Sequence, residues 1–317
     1  MSFEFRDAVR ADTRLLIGLA GGTGSGKTES AMRLATGLAS GQPFAVIDTE
    51  SGRALHKADD YKFKHGDLSA PFTPERYWEA ITAADEAGYP VIVIDSFSHV
   101  WEGVGGVLEM QEQELERLGG SATMAPKSWI KPKGRHRRLV NQMLQVRAHL
   151  IVCMRAQDKI EIAKVDGKTV IRPAQSLIGA DGWVPICERH FPHELTLSLL
   201  LLQDAPGVPK PIKLERRHAD FVPLDRPLDE EVGAALREWA AGGAAGPVGT
   251  PREAAAHSQN VGLSYDALKA WINQQEADTT RLAEIAKDLF PGRSSFKSLT
   301  DRERAQVKQR YEELVNV

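Results

Sequence analysis

The sequence is poor in the residues that mark several large protein classes. It has two cysteines, Cys153 and Cys187. They cannot make a disulfide scaffold, and neither sits in a metal-binding spacing. The expectation is two buried thiols in a reducing compartment. Long apolar runs are missing as well. Leu150-Ile151-Val152-Cys153-Met154 is far too short to span a bilayer. The opening residues, Met1-Ser2-Phe3-Glu4-Phe5-Arg6-Asp7, lack the apolar core of a signal peptide. A cytoplasmic protein with no membrane partner is therefore expected. The formal net charge is −3, so no global basic field announces nucleic acid. Nor is there a repeat of solenoid period. Hydrophobic residues make up 42% and charged residues 26%, which excludes a wholly disordered, collagen-like or coiled-coil chain. With 317 residues, the chain has room for one large domain and a small one.

What is present is an alternation of strands and helices. Leu15 to Ala20, Phe44 to Ile47, Val91 to Ile94 and Leu150 to Met154 are apolar on both faces, as buried strands are. Glu29 to Leu38, Trp78 to Ala87, Gln111 to Leu118 and Arg135 to Ala148 read as helices between or after them. That alternation implies right-handed crossovers and a mainly parallel, doubly covered sheet, an α/β fold. The pattern then changes. Gly167 reads as a turn between short strands, and Asp204-Ala205-Pro206-Gly207 as a turn between Glu194–Gln203 and Val208–Leu214. A β-rich half and a closing helix, Glu230 to Trp239, complete a core over residues 1–240. Residues 241–251 carry no charge until Arg252 and read as a flexible linker. Residues 252–317 hold helical patterns at 265–275, 280–289 and 301–314, a small helical module.

Gly21-Gly22-Thr23-Gly24-Ser25-Gly26-Lys27-Thr28 has the spacing of a phosphate loop and lies between a strand and a helix. Its glycines let backbone N–H groups turn inward toward phosphate oxygens. The helix beginning near Glu29 adds its positive end to the same anion. Lys27 is placed to reach the β- and γ-phosphates of ATP, and the Thr28 hydroxyl to ligate Mg²⁺. Asp95 ends the third apolar strand, where a carboxylate can join Thr28 in the Mg²⁺ shell. Phe44-Ala45-Val46-Ile47-Asp48-Thr49-Glu50 brings Asp48 and Glu50 to the same rim, where open α/β sheets bind ligands. Hydrolysis needs a group that orients or deprotonates water, and Glu50 is the candidate. Asp48 is expected to cap a turn.

Taken together, these motifs resemble the RecA-type ATPase core. That core pairs a phosphate loop with a glutamate just after the next strand and an Asp-Ser, here Asp95-Ser96, after a later one. Asp48-Thr49-Glu50-Ser51-Gly52-Arg53 is most similar to phage RecA-core ATPases of the Sak single-strand annealing type. The resemblance covers roughly residues 13–240. It implies that Glu50 activates water and that Arg155 or Gln157 senses the γ-phosphate. It also implies that a basic residue after the hairpin, among Lys210, Lys213 and Arg216, acts across a subunit interface, with Lys213 preferred. Such a cation offsets charge on the transferring phosphoryl group. A homo-oligomer follows from that role. Two departures stand out. Few residues precede the first strand, and no aromatic follows Glu50 in Ser51-Gly52-Arg53-Ala54-Leu55-His56 to stack on a base.

Charge is unevenly distributed. From Ser121 to His149 there is no acidic residue, and there are seven cations: Lys127, Lys131, Lys133, Arg135, Arg137, Arg138 and Arg147. The rest of the chain is correspondingly acidic. In RecA-like cores the segments corresponding to Gly103–Gly134 and Ala156–Ile178 carry the DNA-binding loops. The lysines and arginines are candidates for phosphate contacts with single-stranded DNA, and Trp129 for stacking on an unpaired base. The alternative is a basic helix facing acidic neighbours, with Glu109, Glu112, Glu114 and Glu116 just upstream. His136 and His149 fit no metal spacing and read as ordinary polar positions.

The expectation is a DNA-stimulated, Mg²⁺-dependent ATPase of recombination, annealing or repair. A helicase loader or other replication accessory is the second reading, and a nucleotide-gated module with negligible turnover the third. The C-terminal module is a candidate site for a single-strand-binding protein or another replication partner. A phage origin, and so a bacterial host cytoplasm, follows from the resemblance alone.

Overall fold

The structure, a computed structural model, describes residues 13–158, 160–165, 168–173 and 182–242. Of the remainder it describes residues 265, 268–269, 271–272, 279–290, 295–300, 303–304, 306–308 and 310–311. It divides into two compact units, residues 1–243 and 244–317.

The first unit is built on one eight-stranded sheet. Its strands are β1 (Leu16–Gly21), β2 (Phe44–Asp48), β3 (Phe63–Asp67), β4 (Val91–Asp95), β5 (His149–Asp158), β8 (Trp183–Pro185), β9 (Leu197–Leu201) and β10 (Pro209–Lys213). The order is β10-β9-β1-β5-β4-β2-β3, with β8 paired antiparallel to the far end of β5. β1, β2, β4, β5 and β9 run parallel, and β10 returns antiparallel to β9. β6 (Ile160–Val165) and β7 (Lys168–Pro173) form a separate antiparallel pair in direct continuation of β5. The intervening residues 166–167, and with them the expected turn at Gly167, lie outside the described residues. So do residues 159 and 174–178 of the second expected DNA loop.

The four apolar segments are the central strands because both sheet faces are covered. β1, β2 and β4 are buried at every position. The alternate residues of each strand feed two cores. One face holds Ile17, Leu19, Val46, Val93 and Ile151 under the helix α1 (Lys27–Ala39). The other holds Ala20, Ile47, Ile94, Leu150 and Val152 under α2 (Pro74–Glu86) and the basic helix. β3 carries little apolar signal, Phe63-Lys64-His65-Gly66-Asp67, because it lies at the sheet edge and is largely exposed.

Helix boundaries follow local chemistry. α2 begins at Pro74, four residues before the apolar pattern suggests, because the Thr73 hydroxyl caps it and proline suits the first helical position. Short α3 (His99–Glu102) follows the Asp95 strand and leads into the acidic α4 (Val107–Arg117). After α5 (Ala125–Ser128), the basic helix α6 runs Ile130–Met143. It stops short of the expected Ala148, where Asp85 Oδ1 accepts from the Arg147 and Ala148 amides at 3.0 Å each. Beyond β8 come α7 (Phe191–Glu194), α8 (Arg216–Ala219) and α9 (Glu230–Ala240). α9 crosses α1 at very close range. A Cβ on Gly37 would lie 2.0 Å from the Glu230 carbonyl oxygen, and one on Gly233 2.3 Å from that of Leu34. Arg33 locks the crossing from the side, pairing with Glu230 at 2.9 Å.

In the second unit the helix Thr279–Leu289, α10, packs Leu282 and Ile285 against Leu299, Val307 and Tyr311. The expected helices at 265–275 and 301–314 fall partly outside the described residues, as do residues 243–251 of the expected linker. No helix among the described residues is long and apolar enough to cross a membrane.

Candidate nucleotide site

The carboxyl ends of β1, β2, β4 and β5 share one rim, and a cavity of about 690 Å³ opens there. The loop Gly21–Thr28 forms its floor, with Glu29 beside it. Gly24 and Gly26 take φ of 74° and 84°, which lets successive amides face one point. Ser25 Oγ donates to the Gly22 carbonyl at 2.8 Å and holds the curl. From outside, the β9–β10 turn supports the loop: Gly207 N donates to the Ser25 carbonyl at 3.0 Å.

Lys27 Nζ lies within the loop, donating to the Gly22 carbonyl at 2.8 Å. Burial lowers its pKa, and Asp95 and Glu50 oppose that shift. A γ-phosphate entering the loop would supply the counter-charge that this ammonium lacks. Thr28 Oγ1 donates to Asp95 Oδ2 at 2.6 Å. Burial raises the Asp95 pKa. The two groups form a compact pair of hard oxygen donors beside the phosphate loop, and this donor set fits Mg²⁺.

Glu50 lines the cavity across from the loop. Its position is fixed by its neighbours in sequence. Asp48 is buried and caps the turn, accepting from the Glu50 amide at 2.7 Å and the Ala54 amide at 2.8 Å. His65 of β3 lies 3.2 Å from the same carboxylate. Thr49 joins β2 to β4: its amide donates to the Asp95 carbonyl at 2.8 Å, and its hydroxyl accepts from Ser96 N at 2.7 Å. The Thr49 hydroxyl also meets His99 Nδ1 at 2.7 Å. The Glu50 side chain is held between two guanidinium groups, Arg53 at 2.9 Å and Arg155 at 3.4 Å. Arg155 in turn reaches Glu102 at 3.6 Å.

The sequence candidates therefore separate. Lys27, Thr28, Glu50, Asp95 and Arg155 line one cavity. Gln157 does not line it; it is exposed on the β5 extension and paired in register with Val184. Lys213 is turned onto its own chain, donating to the carbonyls of His193 at 2.8 Å and Leu195 at 2.6 Å. Four ionisable lining residues go beyond the sequence candidates, Arg53, His56, Lys57 and Glu102, and Ala156 and Ile186 line the cavity as well. Arg53 had a signal, its place at the end of the Asp48–Arg53 motif. His56 and Lys57 follow on a short 3₁₀ turn, Arg53–Lys57, where the resemblance would place a stacking aromatic. Lys57 pairs with Glu29, which also accepts from the Tyr61 hydroxyl.

The basic stretch has a different fate. Lys131 pairs with Glu114 at 3.2 Å, Lys133 with Glu188 at 3.9 Å, Arg135 with Glu75, and Arg147 with Asp85 at 3.1 Å. Trp129 stacks on Trp101, centroids 6.0 Å apart, with Lys133 Nζ 5.4 Å over its ring. Lys127, Arg137 and Arg138 are exposed and have no ion pair among the described residues. His136 and His149 are buried, 4% and 7% exposed, rather than ordinary polar positions.

No curated protein matches the chain. Residues 13–176, just over half of the sequence, take in the strands and loops that build the cavity, through β5 and the hairpin beyond it. They match the family described as AAA domain, a family of P-loop-type ATPases, and the chain belongs to it.

Proposed function

We propose that the protein is a Mg²⁺-dependent ATP hydrolase whose cycle governs binding and release of single-stranded DNA in recombination or annealing. The observation that carries the hydrolase half is the convergence of Lys27, the Thr28–Asp95 pair and Glu50 on one cavity at the sheet's carboxyl rim. In this reading the loop amides and Lys27 hold the phosphates. Thr28 and Asp95 hold Mg²⁺, which when bound neutralises charge on the β- and γ-phosphate oxygens. Glu50 accepts a hydrogen bond from the attacking water and aligns it with the γ-phosphorus. Arg155 reaches the γ-phosphate from β5, and a cation from a neighbouring copy completes the site. Arg216 is the candidate carried forward for that cation, since Lys213 donates to backbone carbonyls of its own chain.

The DNA half rests on the exposed cations of the basic stretch, Lys127, Arg137 and Arg138, and on the β6–β7 hairpin that continues directly from the Arg155 strand. The resemblance to Sak-type annealing ATPases supports the same reading. The test is steady-state ATP hydrolysis with and without single-stranded DNA at two salt concentrations. Stimulation that fades with salt is the expected result. Turnover indifferent to DNA would transfer the reading to a partner-driven accessory ATPase.

A further inference from the structure

α6 has one unexplained group. His136 is 4% exposed and wedged among Phe97, Trp101 and Phe191, yet its Nε2 is buried with no hydrogen-bond partner. A buried polar atom left unpaired is costly and calls for a hydrogen-bond partner. His136 lines a second cavity, of about 180 Å³, between α6 and the segment joining β8 to α7. Burial holds its imidazole down at about 4, so it is neutral at physiological pH.

The walls define the chemistry. Val140 and Phe191 are apolar, Asn141 supplies an amide, Glu188 and Glu194 carboxylates and His190 a second imidazole, and the exposed cations Lys133 and Arg137 are also part of the lining. Among the described residues no His, Cys, Asp and Glu are grouped to hold a metal ion. The volume falls below the roughly 300 Å³ at which small-molecule pockets begin. Such a pocket suits a fragment tethered to a polymer, whose backbone is held elsewhere. Two imidazoles, an amide and two carboxylates set against apolar walls match the mixed donors and acceptors on a base edge. Arg137, on the cavity lining, and Arg138 beside it match the phosphates.

We propose that this cavity receives one unstacked base of a single strand, while Arg137 and Arg138 hold the flanking phosphates. The proposal rests on the reading of the chain as a single-strand binder. It also gives the strand a route to the nucleotide. Glu188 is two residues from Ile186, which lines the ATP cavity. Ile186 N donates to the Arg155 carbonyl at 2.7 Å, and its own carbonyl accepts from Ser98 Oγ at 2.7 Å.

The experiment uses the full chain with its phosphate loop saturated by a non-hydrolysable ATP analogue. Fluorescence anisotropy compares a dye-labelled oligodeoxythymidine with an abasic deoxyribose-phosphate oligomer of the same length. The base-bearing strand is expected to bind about tenfold tighter. Val140→Phe, which fills the cavity, should erase that preference and leave abasic binding unchanged. Asn141→Ala alters an exposed side chain and should shrink the preference severalfold, so the test survives if Val140→Phe fails to fold. Equal affinity of the native chain for both polymers would overturn the pocket and leave the DNA reading standing. A preference that persists in Asn141→Ala and in a folded Val140→Phe would also overturn the pocket. Binding of neither polymer would overturn both.

Discussion

The nucleotide rim and the basic helix teach opposite lessons about charge. The rim gathers residues far apart in sequence, 27, 28, 50, 95 and 155, around one cavity. A parallel sheet does this automatically, because every strand ends at the same edge. The basic stretch gathers its cations within one short segment, and the fold disperses them. Four of the seven meet carboxylates from α2, α4, the β8–α7 segment and the end of α2. Density along the chain is thus a poor guide to density on the surface, whereas placement at strand ends translates directly into a site.

The largest expected effects test the rim. Glu50→Gln should lower ATP turnover by roughly 10²- to 10³-fold, as removal of a water-orienting carboxylate does, with ATP affinity within severalfold of native. Lys27→Ala should abolish ATP binding measured by titration calorimetry. If Lys27→Ala retained affinity, or Glu50→Gln retained turnover, convergence on the rim would not make it the hydrolytic site. A second test concerns the frame beneath it. Gly37→Ala puts a methyl against the Glu230 carbonyl and should cost about 1–3 kcal/mol in urea unfolding. An unchanged midpoint would show that α1 and α9 give way freely, and that the phosphate loop is not braced from below.

These two tests also mark what is legible in the sequence. The convergence of the loop Gly21–Thr28, Glu50 and Asp95 is readable because apolar strands frame them and end at one rim. The turn-capping role of Asp48 is readable from its place beside Glu50. Gly37 and Gly233 are not, since a helical glycine signals close approach only once its partner helix is known. β3 escapes the pattern because an edge strand needs no apolar face. Arg155 and Gln157 cannot be told apart by position; two residues on one strand share a face, and only the β8 pairing shows which one the cavity reaches. The pairing of Arg135 with Glu75, and of Arg147 with Asp85, joins residues some sixty positions apart, beyond any local pattern.

His149 tests the other region at its far end. Its Nδ1 accepts from the Leu15 amide at 3.2 Å, and burial pulls its pKa down to about 4. The unfolded chain binds this proton near the ordinary value of about 6.5. The native state therefore keeps its full stability above that value. It loses stability as pH falls from there toward 4, by up to about 1.4 kcal/mol per pH unit. Denaturant midpoints at pH 7, 6 and 5 should fall in that order, and His149→Gln should flatten the fall. An unchanged slope in the variant would place the acid sensitivity elsewhere.

The smallest effects bear most directly on the comparison itself. Arg135 and Arg137 are two residues apart on α6, but one faces Glu75 and the other has no ion pair among the described residues. Arg135→Ala should cost at most about 1 kcal/mol of stability, as a partly exposed ion pair does, and leave DNA affinity within twofold. Arg137→Glu with Arg138→Glu should leave stability alone and weaken single-strand binding. The logarithmic salt slope of that binding should flatten by about 0.7 for each phosphate no longer neutralised. If instead Arg135→Ala weakened DNA binding as much as the double reversal, the Glu75 pair would have to open when the strand arrives. The basic stretch would then act as one field, as its sequence reads, and the ion pairs would be the resting state of a DNA-binding surface.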